Sequence, residues 1–106
     1  MIHEIKDTYK GFNIYGGAAP VETTLLATIT DWSPKGTIAY QRRNGLIVEL
    51  ARFQLKSMAF DAESVAACFG LELARLVLDA CYRDFAIARY ETEKKYIREQ
   101  RARGGR

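Results

Sequence analysis

FDAESVAACFGLELARLVLDACYRDFAIARY, residues 60–90, decides the fold of this 106-residue chain. At about 100° per residue its apolar positions recur with the period of a helix. Asp61 can cap the first turn through its carboxylate, Glu63 favours the positive end of the helix dipole, and Phe60 can staple onto Val65. Ala62, Ala66, Phe69, Leu73, Leu76, Val77, Ala80 and Ile87 form one apolar face. Leu71, Ala74, Leu78, Cys81, Tyr82 and Phe85 form a second beside it. Glu72, Arg75, Asp79 and Arg83 make a narrow polar stripe. A surface helix needs only one apolar stripe. The first face is expected on a sheet of the same chain. The second is left for another copy, with Leu71, Leu78, Tyr82 and Phe85 as the self-association residues. Nothing breaks the helical pattern before about Arg101, so the helix is expected either to break near 84–88 or to project beyond its sheet.

Outward from this stretch the chain reads as strands. Tyr9-Lys10-Gly11-Phe12 is a tight turn with Gly11 at positive φ. Residues 12–17 alternate as a strand that weakens at Gly16-Gly17, and 18–24, with Pro20, read as a loop. Residues 25–31 read as a strand, 31–36 as a turn, and 37–42 as a strand. Asn44-Gly45 is a hairpin signal, and 46–53 pair back, with a bulge near Ala51 where the apolar parity changes. A short helix over 46–55 is the competing reading. Strands first and helix last predict an α+β fold: an antiparallel β-meander of about four strands with one long C-terminal helix packed on one face. The inner sheet face is expected to be Ile14, Leu25, Ala27, Ile29, Ile38 and Val48, against Phe69, Leu73, Leu76 and Ala80.

The Tyr9-Lys10-Gly11-Phe12 start, the strand-rich middle, and the helix with Gly70-Leu71-Glu72-Leu73-Ala74-Arg75 resemble small uncharacterised bacterial domains. Those begin Tyr-(Lys/Arg)-Gly-(Tyr/Phe) and end in an Ala-rich helix. The resemblance covers about residues 9–80 and implies no activity and no site residue.

Length predicts a single α+β domain over 1–88 with a basic helical extension or tail over 89–106. The charge supports the division. Residues 1–88 carry nine Lys or Arg against ten Asp or Glu, whereas 89–106 carry seven against three. No apolar run is long enough for a membrane span and the N-terminus lacks a signal-peptide core, so a cytoplasmic protein is expected. Cys68 and Cys81 lie thirteen residues apart on the helix, about 20 Å, too far for a disulfide within one chain. They are expected to be buried.

No residue set predicts catalysis, a cofactor or a metal. His3 is the only histidine, and there is no phosphate-binding glycine loop. The leading functional reading is a small, non-enzymatic, self-associating protein-interaction module, with a homodimer favoured and a further protein partner left open. The alternative is a nucleic-acid binder using Arg42, Arg43, Lys94, Lys95, Arg98, Arg101 and Arg103. Tyr15, Tyr40 and Phe53 would supply stacking to it if exposed on a sheet face, but core or cross-strand packing is their expected role. A small-ligand or enzymatic role is the third reading.

Overall fold

The computed structural model describes residues 4–21 and 31–104. Strands β1 (Ile5–Tyr9), β2 (Phe12–Val21), β3 (Asp31–Gln41) and β4 (Ile47–Gln54) form one antiparallel sheet in sequence order, followed by α1 (Glu63–Ala80) and α2 (Tyr82–Gly104). This is the predicted α+β meander, with the helices packed against the sheet. The tight turn at Lys10-Gly11 has both residues at positive φ, and Gly45 takes positive φ in the β3–β4 loop. The parity change in β4 is resolved as expected. Ile38 pairs with Ala51 and Ala39 with Glu49, so Leu50 is the extra residue of a bulge. The bulge keeps Val48, Ala51 and Phe53 on the helix side. The region is strand, not helix.

Two local expectations are corrected. β2 runs through Gly16-Gly17 and Pro20 to Val21, where a loop was expected. β3 begins at Asp31 and includes Trp32 and Pro34, where turn chemistry had been read. Pairing across the long hairpin overrides the local turn preference, since Pro34 pairs with Ala18 and needs only an extended backbone. Trp32 also exchanges backbone hydrogen bonds with Phe60, at 2.7 and 2.8 Å, which pins the entry to α1. The strand expected at 25–31, with Leu25, Ala27 and Ile29, lies outside the described residues apart from Asp31, and so does His3.

The helix faces are largely exchanged relative to expectation: Ala66 and Val77 of the expected inner face stay inside, but Phe69 and Leu76 do not. Leu71, Ala74 and Leu78 are buried on the sheet beside Phe12, Ile14, Ile38 and Tyr40. Phe69 is 37% exposed, Leu76 64%, and Ala80 also faces water. The reason is small residues. A Cβ on Gly16 would stand 2.2 Å from the Ala67 carbonyl oxygen, and a Cβ on Gly70 2.1 Å from the Lys35 carbonyl oxygen. The helix backbone therefore lies directly on the strand backbones. Only its small face, Ala66, Ala67, Gly70 and Ala74, can approach that closely, and Leu71 and Leu78 flank the contact. The face with Phe69 and Leu76 is too bulky for it.

Helix α1 also starts one residue later than expected. Ala62 is the N-cap and makes no side-chain cap hydrogen bond, so Asp61 does not cap. Phe60 packs on Phe69, ring centroids 5.5 Å apart. Cys81 interrupts the helix with φ −122°, three residues before the expected break, but the chain does not fold back. The molecule measures 63 Å along its long axis, which is the length of about 42 helical residues.

Gly70→Ala should cost about 1–3 kcal/mol or more, because the methyl meets immovable backbone. Gly17→Ala, with nothing within 4 Å of its Cβ, should change stability by less than about 0.5 kcal/mol. Leu78→Ala should cost about 2–5 kcal/mol, and Phe69→Ala only about 0.5–1.5. Urea denaturation of the four variants checks this ordering.

Candidate interaction surface

Two polar clusters fix the helices on the sheet and so decide which side they show to solvent. The first joins β1 to α1. Asp7 bonds the Arg75 guanidinium, which also bonds Glu72. Lys10 reaches Asp79 at 2.6 Å, and the Tyr9 hydroxyl donates to the same carboxylate at 3.0 Å. The Arg75 hydrogen bond holds the Asp7 carboxyl below its ordinary range, and the Lys10 contact does the same for Asp79.

The second cluster joins the β3–β4 end of the sheet to α2. Glu93 accepts from the Tyr40 hydroxyl at 2.5 Å and from Arg42 Nε at 2.6 Å. The Arg42 guanidinium lies 3.7 Å from the centroid of the Tyr96 ring, a cation–π contact. Arg89 donates to the Gly11 carbonyl at 2.9 Å and sits over the Phe12 and Tyr40 rings. Burial pushes the Glu93 carboxyl up, but the Tyr40 and Arg42 hydrogen bonds outweigh it and hold it below its ordinary value. Burial and the Glu93 hydrogen bond raise the Tyr40 phenol.

These contacts place the expected site residues. Leu71 and Leu78 are buried against their own sheet and cannot meet another copy. Phe85 is half-buried with its ring 6.5 Å from Phe12. Tyr82 is partly exposed but stacks edge-on to the same ring at 6.1 Å. The self-association surface read from sequence is therefore mostly core. The apolar side that stays open is the opposite one: Val65, Phe69 and Leu76 on α1, with Ile87, Tyr90 and Ile97 on α2. Sequence reading assigned Phe69 and Leu76 inward because both faces carry helical periodicity, and only the small residues distinguish them.

The basic residues divide in two. Arg42 is committed to Glu93 and Tyr96. Arg43, Lys94, Lys95, Arg98, Arg101 and Arg103 are exposed. The fold brings the β3–β4 loop against α2, so Arg43 and Asn44 share a groove of about 520 Å³ with Tyr96 and Ile97. Of the three aromatics considered for stacking, Tyr40 and Phe53 face the helices and only Tyr15 lies on the outer sheet face. There it lines a concavity of about 450 Å³ with Lys35, Thr37, Ile47, Glu49 and Arg52. Glu49 and Arg52 are joined by two 2.9 Å hydrogen bonds.

Both cysteines are free, and Cys68 is exposed rather than buried because it lies off the small-residue face. Among the described residues no three His, Cys, Asp or Glu side chains group as metal ligands, and no helix is long and apolar enough to cross a membrane. No protein-family model matches the chain, and no curated protein and no solved structure matches it.

The second cluster makes stability depend on pH. A carboxyl held below its ordinary value of 4.5 stabilises the fold above that value, and the contribution is lost as pH falls through the folded-state pKa. Glu93→Gln should cost about 1 kcal/mol at pH 7, the low end for charged hydrogen bonds because the site is part-exposed. The gap between Glu93→Gln and the native chain should close below pH 4.5. Denaturation at pH 7, 5, 4 and 3 measures it.

Proposed function

We propose that the protein is a small, non-enzymatic, self-associating interaction module that pairs copies through the outer side of its two helices. The observation that carries this is α2. It holds 23 helical residues, none of them buried, with Ile87, Tyr90 and Ile97 in water. Helices in folded proteins gain most of their stability from packing an apolar face rather than from propensity. The inner side of α2 is used only at its sheet-proximal half, through Tyr82, Phe85, Arg89, Glu93 and Tyr96. Its outer side continues the open apolar positions of α1. Exposed apolar surface on such a scale marks association in soluble proteins. Pairing there leaves the outer sheet face, with its concavity around Tyr15, Thr37 and Glu49, free for a further protein partner.

A second reading, nucleic-acid binding, is favoured by one observation. The fold gathers Arg43 of the β3–β4 loop beside the basic half of α2, and Glu93, which lines the same groove, is already paired with Arg42. Binding of labelled DNA and RNA that falls steeply with salt would favour it over the first reading.

Light scattering at micromolar concentration should give the mass of a dimer for the native chain. Leu76→Glu with Ile97→Glu should give a monomer with an unchanged circular dichroism spectrum over the sheet, since both positions are more than half exposed. A monomeric native chain would sink the reading.

A further inference from the structure

The outer side of the helices carries a self-complementary pattern. Although Cys81 interrupts the helix, hydrogen bonding runs through the break. The Cys81 N–H donates to the Val77 carbonyl at 2.9 Å, and the Phe85 N–H donates to the Cys81 carbonyl at 3.1 Å. Leu71, Leu78 and Phe85, spaced by seven, all face the sheet, so the helical phase survives the break. The outer sides of α1 and α2 therefore form one surface.

On that surface lie two quartets with the same spacing of four, three and four residues. On α1 they are Val65, Phe69, Glu72 and Leu76; on α2 they are Tyr90, Lys94, Ile97 and Arg101. All eight are exposed. The quartets are 25 residues apart, which is seven turns at about 3.6 residues per turn, so they share one side of the helical rod. Laid antiparallel on each other they match position by position. Phe69 meets Ile97, Leu76 meets Tyr90, Glu72 meets Lys94, and the Arg101 stem covers Val65. The charges also complement at longer range. Residues 61–80 carry four acids and one base, whereas 94–104 carry five bases and one acid.

We infer that two copies of this chain pair as an antiparallel, two-fold symmetric couple of α1–α2 rods, with α1 of each copy on α2 of the other and the axis at Arg83. The inference rests on the self-association reading above and specifies its geometry. An isologous interface requires that residue i meet j while j meets i, and this register satisfies it throughout. Each pair of matching quartets occurs twice, so the dimer contains two Glu72–Lys94 contacts. These single out the antiparallel register, because sliding one rod by a turn sets Glu72 against an apolar residue. At the axis Arg83 meets its own copy. It is exposed, and the repulsion is screened by solvent.

The test uses the full chain and measures dimer dissociation by sedimentation. Glu72→Lys and Lys94→Glu singly should each weaken the dimer about tenfold or more, and the double reversal should restore it to within a few-fold. Both positions are exposed, Glu72→Lys gives up only the exposed contact to Arg75, and circular dichroism with a denaturation midpoint verifies that the fold is kept. As an independent reading, Arg83→Cys in a Cys68→Ser, Cys81→Ser background should oxidise to a covalent dimer. A native dimer on which the reversals have no effect and Arg83→Cys does not cross-link overturns the register but leaves self-association standing. A native monomer overturns both.

Discussion

The contact between the backbone of α1 and the backbones of β2 and β3 governs the rest of the structure. Gly16 on the sheet and Gly70 on the helix have no side chains, and neither position has room for one. Close approach of this kind buries little apolar area per residue, but it sets the height of the helix above the sheet. At that height Leu71 and Leu78 fill the gap with Ile14, Ile38 and Tyr40. At a greater height those leucines would leave voids, and interiors tolerate voids poorly. The glycines thus choose which side of the helix is core, and with it which side is surface.

Beyond Phe85 the helix is held mainly by polar contacts rather than packing. Only Phe12 reaches out to Tyr82 and Phe85, and past them the anchors are Arg89 on Gly11 and Glu93 between Tyr40 and Arg42. Part-exposed ionic contacts are individually weak, yet they are directional. They orient α2 so that Arg89, Glu93 and Tyr96 point inward and Tyr90, Lys94 and Ile97 outward. Glu93, one of the three acids of the C-terminal segment, is thereby turned towards the sheet and paired, while Glu91 and Glu99 stay exposed beside the basic residues.

A short chain with one sheet and one helical layer covers only one face of each. In this protein the sheet's outer face is lined mostly by polar and small side chains, with Tyr15 and Ile47 its large exceptions, as suits contact with water on one side of an antiparallel sheet. The helices' outer side carries six large apolar residues. The self-association proposed above uses the helices' outer side and leaves the sheet's concavity uncovered.

The meander, the two hairpin turns, the β4 bulge and the helical nature of the chain from Glu63 to about Arg101 were legible in the sequence. Each depends on residues close in the chain: Gly11 and Asn44-Gly45 for positive φ, the parity change at Ala51, and the unbroken 3.6-residue period. The full length of β2 and β3 was not legible, because Pro20, Pro34 and the glycines read locally as turns while pairing across the hairpin made them strand. Nor was the choice between two apolar helix faces, which have equal periodicity. Leu71 and Leu78 became core, and Phe69 and Leu76 surface, because Gly16 meets Ala67 and Leu71 while Gly70 meets Lys35, contacts between residues far apart in the chain, over which local pattern carries no information. The basic character of the C-terminal segment was plain from composition. That Arg42 is spent on Glu93 while Arg43 remains free is a property of the folded β3–β4 loop docking on α2, and only the tertiary structure could decide it.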